Sequence, residues 1–141
     1  MRRWLSLTSP GALLVSAWLL VGGSLTARAA TTEHFMVRTT ADLVALCETQ
    51  PGQDNYVAAI HFCEGYASGA YQYYLAIAHH SPTSRYVCPP DPPPSRDQAI
   101  TGFVAWARAN PSAMSEPAVE SLFRYLSATY PCSEGQRAPS R

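Results

Sequence analysis

The chain has 141 residues, in which ten arginines, with no lysine, balance ten acidic residues. A chain of this length suits a single domain. Binding to phosphate groups needs clustered cations, and these arginines are scattered. The composition therefore argues against a nucleic-acid-binding protein and against an anionic membrane as partner.

Met1–Ala29 has the pattern of a secretory signal peptide. Arg2 and Arg3 give a positive start, an apolar run covers Gly11–Val21, and Ala27-Arg28-Ala29 is an A-x-A cleavage site. The apolar run is shorter than the roughly 20 residues of a spanning helix, which favours a cleaved leader over a membrane anchor. Sec export fits better than twin-arginine export, which the arginine pair matches loosely. We therefore predict a periplasmic protein, free of the membrane after cleavage, with seven arginines left against ten acidic residues.

The rest of the chain predicts four helices and no strand. Ser95 and Gln98 form a capping box before the third helix, and Pro117 fits the first turn of the fourth. The predicted helices cover about 40–48, 56–80, 95–109 and 115–129. The segment 81–94 holds six of the twelve prolines and is excluded from helix and inner strand. The fold class is thus all-α: a small four-helix bundle-like domain over 30–132, with a loose lead-in at 30–38 and a disordered tail at 133–141.

The second predicted helix, Tyr56 to His80, is the longest and the central one. Seven of its residues recur every three or four positions and are predicted to share one face: Cys63, Tyr66, Ala67, Ala70, Tyr73, Tyr74 and Ile77. Gly65 and Gly69 each cost roughly 1 kcal/mol of helix propensity relative to alanine, so we predict close approach by a neighbouring helix over them. In the fourth helix the predicted buried positions are Val119, Leu122, Phe123 and Leu126.

The chain has four cysteines, all after the leader. An even number in an oxidising compartment predicts two disulfides; the alternative, a zinc site, lacks a C-x-x-C pair. Short connections make neighbouring helices antiparallel, which places Cys47 and Cys63 at one end of the bundle and Cys88 and Cys132 at the other. We therefore predict the pairs Cys47–Cys63 and Cys88–Cys132. A Cys63–Cys88 bridge would need the proline-rich segment to retrace some 25 Å of helix.

The sequence has no pattern typical of catalysis, of a cofactor or of a metal site. Paired cysteines leave no thiol for a cysteine hydrolase, and no strand-to-helix G-x-S-x-G turn is present. His79 and His80 are adjacent on a helix and point about 100° apart, so they indicate a solvated helix end. The eight tyrosines exceed what one core stripe can hide. They favour an interface, with half-burial under the proline-rich segment as the alternative.

Several short motifs follow one another between Asp42 and Cys132. They are Leu46-Cys47, Cys63-Glu64-Gly65-Tyr66 with Gly69, Cys88-Pro89, Gln98, Val104, Pro111, Ala118, Leu122 and Tyr130-Pro131-Cys132. In this order the set resembles the Rap/Tai family of type VI secretion amidase immunity proteins. The resemblance implies a small exported helical protein, often a homodimer, that binds and inhibits a papain-like cell-wall amidase effector and performs no reaction itself.

The chain departs from the family between Cys88 and Gln98, where the family has a short turn with a glycine and this chain has PPDPPPSRD. The family motifs are cysteines, glycines and caps, so they imply the fold and carry over no contact residue. From expected exposure and chemistry, we predict the partner-binding residues Tyr73, Tyr74, His79, Arg85, Tyr86 and Asp91.

Two other classes of function compete with an immunity protein. A periplasmic stress or chaperone-like helical protein, without a dedicated enzyme target, would need many acidic residues near its apolar stripes, and the chain has ten. An enzyme would need the catalytic pattern that the sequence lacks. We therefore predict an immunity protein that is not an enzyme.

Overall fold

The protein is all-α, as the sequence predicts. The structure, a computed structural model, describes residues 29–81 and 84–136. Its helices in chain order are α1 (Thr40–Cys47), α2 (Tyr56–His80), α3 (Arg96–Ala109) and α4 (Ala118–Thr129). The described residues contain no strand, and an isolated antiparallel bridge joins Val87 to Pro131. None of their helices combines the length and the hydropathy that crossing a membrane requires.

Side-chain caps determine where α1 and α3 begin. Before α1, the Thr39 backbone N–H donates to the Asp42 carboxylate at 2.9 Å. The predicted capping box before α3 is confirmed, because the Ser95 N–H donates to Gln98 Oε1 at 2.8 Å and the Gln98 N–H donates to Ser95 Oγ at 3.1 Å. Such boxes satisfy backbone donors that a helix start leaves unpaired.

The start of α4 differs from the prediction. Pro111–Ser115 form a separate 3-10 helix, and α4 begins only at Ala118, after the N-cap residue Pro117. Glu116 has extended torsions of φ −81° and ψ 161°, since the residue before a proline is disfavoured in the helical conformation. The predicted burial of Val119 is also wrong. This side chain is 42% exposed, and the neighbouring Ala118 is buried instead.

The hydrophobic core lies where α1, α2, α3 and α4 meet. Its largest fully buried side chains include Phe103, Leu43, Val44 and Val87. On α4, Leu122 and Leu126 are buried as predicted and Phe123 is half-buried. A second, smaller cluster at the start of α2 consists of Ala30, Leu46, Ala59 and Cys63.

The central helix α2 has the predicted bounds, but the predicted common face is divided. Its buried residues are Ala59, Cys63, Tyr74 and Ala78. Tyr73 and Ile77, which we predict to share a face with Cys63 and Tyr74, are exposed. Each precedes a buried residue by one position and therefore points about 100° away from it.

Gly65 and Gly69 also face outward. Beyond the chain neighbours and the adjacent backbone of α2 itself, a side-chain carbon added at either position would have no described atom within 4 Å. The prediction that a neighbouring helix of the same chain packs over them is therefore wrong. The strip of α2 that they form is open to solvent between Phe62 and Tyr73.

The two ends of the chain carry three predictions. The predicted signal peptide, Met1–Ala29, lies outside the described residues except for Ala29. The predicted loose lead-in, 30–38, contains a 3-10 helix, Thr32–Met36. The first residue of the lead-in, Ala30, is buried. Of the predicted disordered tail, 137–141 lie outside the described residues, whereas Glu134–Gln136 form a 3-10 helix.

Two disulfides brace the helices in the pairing that we predict. Cys47 and Cys63 join α1 to α2 with a Cα–Cα distance of 5.3 Å, and Cys88 and Cys132 have a Cα–Cα distance of 4.9 Å. The chain has no free cysteine. The second disulfide fixes the connection between α2 and α3 to the end of α4.

We expect Gly102→Ala to lower the free energy of unfolding by about 2 kcal/mol. A methyl group at position 102 would overlap the Tyr125 hydroxyl and lie 3.0 Å from its Cζ. The Tyr125 ring is buried and packs against Phe103 and Trp106, so it cannot move aside without repacking the core. The matched control is Thr101→Ala, at the exposed neighbouring position of the same helix, which should change the free energy of unfolding by no more than about 0.5 kcal/mol. Urea unfolding measures both, and a Gly102→Ala variant as stable as the wild type would contradict the contact.

Candidate partner-binding surface

The connection between α2 and α3 is held by backbone hydrogen bonds. The Tyr74 hydroxyl accepts from the N–H groups of Tyr86 and Val87, each at 2.8 Å, and donates to the Val87 carbonyl at 3.4 Å. The Cys88 N–H donates to the Tyr130 carbonyl at 2.8 Å. The stretch from Tyr86 to Cys88 is therefore fixed to both α2 and α4.

The next part of the connection is a proline arch, defined here as Pro89–Pro94. Its middle residues 90–93 are exposed, and its two ends, Pro89 and Pro94, are half-buried. Each proline ring fixes its own φ and restricts the residue before it, so few conformations are available to the arch. The arch is tethered by the Cys88–Cys132 disulfide on one side and by the capped start of α3 on the other.

Four aromatic rings pack beside this connection. The centroid of the Tyr74 ring lies 4.9 Å from Tyr86, 5.3 Å from Phe123 and 6.0 Å from Tyr71. Burial raises the pKa of Tyr71, Tyr74 adds to the rise and Arg85 opposes it. Burial also raises the pKa of Tyr86. Both hydroxyls therefore stay protonated at neutral pH and act as hydrogen-bonding groups.

The structure places five of the six predicted partner-binding residues on the surface. Tyr73 is 72% exposed and Tyr86 is 45% exposed. The other three exposed residues are His79, Arg85 and Asp91. Tyr74 is 5% exposed, so the prediction that it is a surface residue is wrong. It lies on the buried side of α2, where its hydroxyl accepts hydrogen bonds from the backbone of the connection between α2 and α3.

The exposed candidates lie in three places. Tyr86 and Arg85 border the aromatic cluster. Tyr73 and His79 lie on the last turns of α2, where the His79 ring packs against the neighbouring histidine at 5.2 Å. Asp91 lies in the proline arch. These residues could contact a protein surface, and they do not converge on a reacting group.

The outward face of α2 is apolar. Exposed residues recur every three or four positions along it: Phe62, Gly65, Gly69, Tyr73 and Ile77. None of these side chains is charged. An apolar strip on the surface of a small domain is typical of a contact surface.

An apolar cavity of about 290 Å³, open to solvent on one side, lies beneath the proline arch. Its walls come from α2, α3, α4 and the arch, and they include Ala67, Tyr71, Pro93, Ala99, Leu122 and Leu126. Arg96 also lines the cavity, and its guanidinium lies 3.7 Å from the Glu64 carboxylate. The cavity thus has mainly apolar walls and one cation in its lining.

Other charged groups form surface pairs. Arg108 Nε donates to Glu48 Oε1 at 3.0 Å, and this hydrogen bond is the main cause of the raised pKa of Arg108. Arg124 pairs with Glu116 and lies 5.4 Å above the Trp106 ring. Within the described residues, no three His, Cys, Asp or Glu side chains are grouped so that they could hold a metal ion.

A family model that describes Rap1a immunity proteins matches residues 39–132. The match spans all four helices and both disulfides. The chain belongs to this family. As a Rap1a immunity protein, it acts against a secreted effector and binds that cognate effector, and the family indicates a non-enzymatic inhibitor. No curated protein and no solved structure gives a significant match to the chain.

The resemblance that we infer from the motifs is thereby confirmed, and the structure shows what the motifs do in this Rap1a immunity protein. The cysteines brace the helices, and Gln98 caps α3. Gly65 and Gly69 do not pack inside the fold. Their place on the surface makes them candidates for contact with another molecule.

Sequence reasoning missed the cavity of this Rap1a immunity protein. Arg96 and Ala99, which line it, are absent from the predicted site residues. The available signal was the small size of Ala67 on α2 and Ala99 on α3, since two small residues facing a proline-rich connection leave space that the stiff connection cannot fill.

Proposed function

We propose that this Rap1a immunity protein works in the periplasm, where it binds and inhibits a papain-like peptidoglycan amidase effector of a type VI secretion system. The family match over residues 39–132 is the observation that carries the proposal. The order of the motifs, which resembles that of the Rap/Tai amidase immunity proteins, supports an amidase as the target.

The cysteine pairing supports an exported location. All four cysteines are in disulfides, and disulfides persist in oxidising compartments such as the bacterial periplasm. The signal-peptide pattern of Met1–Ala29 supports the same location. Peptidoglycan is accessible from the periplasm, so the proposed compartment agrees with the proposed target.

The surface supports inhibition by contact. Exposed Tyr86 and Arg85 are of the residue types that are enriched at protein interfaces and that contribute most to affinity there. The connection that carries Tyr86 and Arg85 is held by a disulfide and by hydrogen bonds. Because it is already ordered, it loses little conformational entropy on binding.

A lysis assay tests this proposal. A papain-like amidase encoded in the same gene neighbourhood is directed to the periplasm of a test bacterium, with and without the full-length chain. We expect the full-length chain to prevent lysis and to co-purify with the amidase. Lysis that continues at saturating amounts of the chain would refute the inhibition.

The matched control is the same chain without residues 1–29. We expect it to stay in the reducing cytoplasm, form no disulfides and give no protection. Protection by this shortened chain would refute the periplasmic location and would leave inhibition of the amidase supported.

We also propose that the protein forms a homodimer through the outward face of α2. In an antiparallel pair of α2 helices with the two-fold axis near Gly69, Tyr73 of each copy would lie over Gly65 of the other. Ile77 would then lie beside His61 and Phe62. Each copy thus provides both the Tyr73 ring and the space over Gly65 that accepts the ring of the other copy, as a two-fold interface requires.

Gly69→Arg is expected to convert the dimer into a monomer, because it would place two like charges at the two-fold axis. The fold should tolerate the change, since position 69 is open and arginine is a better helix former than glycine. Ala105→Arg on the exposed face of α3 is the matched control and should leave the dimer intact. Light scattering after size exclusion measures both, and a wild-type protein that is monomeric at high concentration would refute the dimer.

A further inference from the structure

The cavity beneath the proline arch is open to solvent on one side, where the exposed residues Pro93 and Arg96 lie, so a side chain of another molecule can enter it. Its walls are mainly apolar, as in most sites that bind an apolar group. An apolar cavity of about 150 Å³ stays dry and binds benzene. The volume here is about 290 Å³, which suits a two-ring aromatic group such as an indole.

The proline arch keeps this cavity open. Apolar surface left in contact with water costs free energy, so a flexible connection would collapse onto Leu122 and Leu126 and close the cavity. The proline arch cannot collapse in this way, because its proline rings restrict the backbone. Its ends are also tethered, by the Cys88–Cys132 disulfide and by the Ser95 cap. The site is preformed, and a group that enters it does not have to order the protein first.

Arg96 determines which kind of apolar group the cavity favours. Its side chain is 57% exposed, and its nearest carboxylate, on Glu64, is 3.7 Å away. Because this pair is long and its arginine is exposed, a ring in the cavity can compete with Glu64 for the guanidinium. The face of an aromatic ring carries a partial negative charge that complements a cation, and an aliphatic side chain offers none.

The arch supplies a second reason to favour aromatic groups. Pro93 and Pro94 line the cavity, and proline rings are surfaces against which aromatic side chains dock in many peptide-recognition domains. Aromatic anchors in preformed pockets also contribute a large share of the affinity of protein complexes.

We propose that the cavity is a receptor for one aromatic side chain, of about the size of tryptophan, that the effector supplies on binding. The identity of the occupant rests on the proposed function. The preference of the cavity for an aromatic ring does not, and it can be tested without an effector.

The first experiment titrates the full mature chain with indole and follows backbone amide shifts by NMR. We expect saturable shifts concentrated at Ala99, Ile100 and Leu122. Ala99→Phe, which fills the cavity from within, should weaken indole binding by about ten-fold or more. Ala105→Phe is the matched control on the exposed face of the same helix and should leave it unchanged. Arg96→Gln should weaken it by a few-fold.

A second cavity-filling variant with its own control keeps the test valid if Ala99→Phe does not fold. Ser68→Leu fills the cavity from α2, and Gln72→Leu is its exposed control one turn later. Either filled variant with an unchanged melting temperature decides the question. Absence of saturable indole shifts at the cavity, or unweakened indole binding by a filled variant with an unchanged melting temperature, overturns the aromatic receptor.

The second experiment measures the affinity of the same variants for the amidase of the lysis assay by calorimetry. We expect Ala99→Phe to weaken the complex by at least about ten-fold, and Ala105→Phe to leave it as tight as the wild type. If Ala99→Phe abolishes indole binding and leaves the amidase affinity intact, the occupant is not an effector side chain, and the proposal is overturned. If the wild type binds indole and no amidase, the proposed function fails together with the identity of the occupant, and the aromatic preference of the cavity stands.

Discussion

Replacing both Cys88 and Cys132 with alanine is expected to lower the free energy of unfolding by about 4 kcal/mol, and replacing both Cys47 and Cys63 by about 3 kcal/mol. The order follows from the sequence separations of the two disulfides, which are 44 and 16 residues. The longer closed loop removes more conformational entropy from the unfolded chain. Losses of this size are a large fraction of the stability of a small domain.

Urea unfolding of the two double variants, without reductant, measures this difference. The wild type in excess reductant is the control and should be less stable than either variant, since it loses both crosslinks. We also expect the variant without Cys88 and Cys132 to bind indole and the amidase more weakly, because the proline arch loses a tether. Equal stability of the two variants, or the reverse order, would contradict the loop-length explanation.

Tyr74→Phe is expected to lower the free energy of unfolding by about 3 kcal/mol, although it removes a single oxygen atom. That oxygen accepts the backbone N–H groups of Tyr86 and Val87, each at 2.8 Å. Val87 is fully buried, so its N–H has no access to solvent as a replacement. A buried donor left unsatisfied costs about 1–3 kcal/mol, and the change leaves two donors without this acceptor.

Tyr73→Phe is the matched control, one residue earlier on the same helix. Its side chain is exposed, so we expect a change within about 0.5 kcal/mol. Thermal or urea unfolding compares the two variants. Equal effects would show that the Tyr74 hydroxyl does not hold the connection. For amidase binding we expect Tyr86→Ala to weaken the complex directly and Tyr74→Phe to act only through the fold.

Local signals in the sequence were sufficient to predict most of the fold. The bounds of α2 follow from the turn residues before it and the proline-rich segment after it, and the start of α3 follows from the Ser95–Gln98 pair. The cysteine pairing follows from the antiparallel order of the helices. These features depend on near neighbours or on chain connectivity, which a sequence records directly.

The orientation of α2 could not be predicted in the same way. Tyr73 and Tyr74 are identical, adjacent residues, and which of them is buried depends on the two N–H groups of the connection, which need an acceptor. Gly65 and Gly69 gave a misleading signal, because glycine permits close approach from outside the chain as well as from within. The cavity is lined by side chains of α2, the proline arch, α3 and α4. No local sequence pattern predicts that these four elements surround one space.

The Cys88–Cys132 disulfide also changes what a proteolytic cut can do to the molecule. It closes a covalent ring that contains α3, the 3-10 helix Pro111–Ser115 and α4. A single nick in the linker between α3 and α4 would open this ring without releasing either half, and both pieces would stay attached to the same core. Among foreign or resident proteases, the protein would then keep its shape after damage that would separate an unbridged chain into two diffusing fragments.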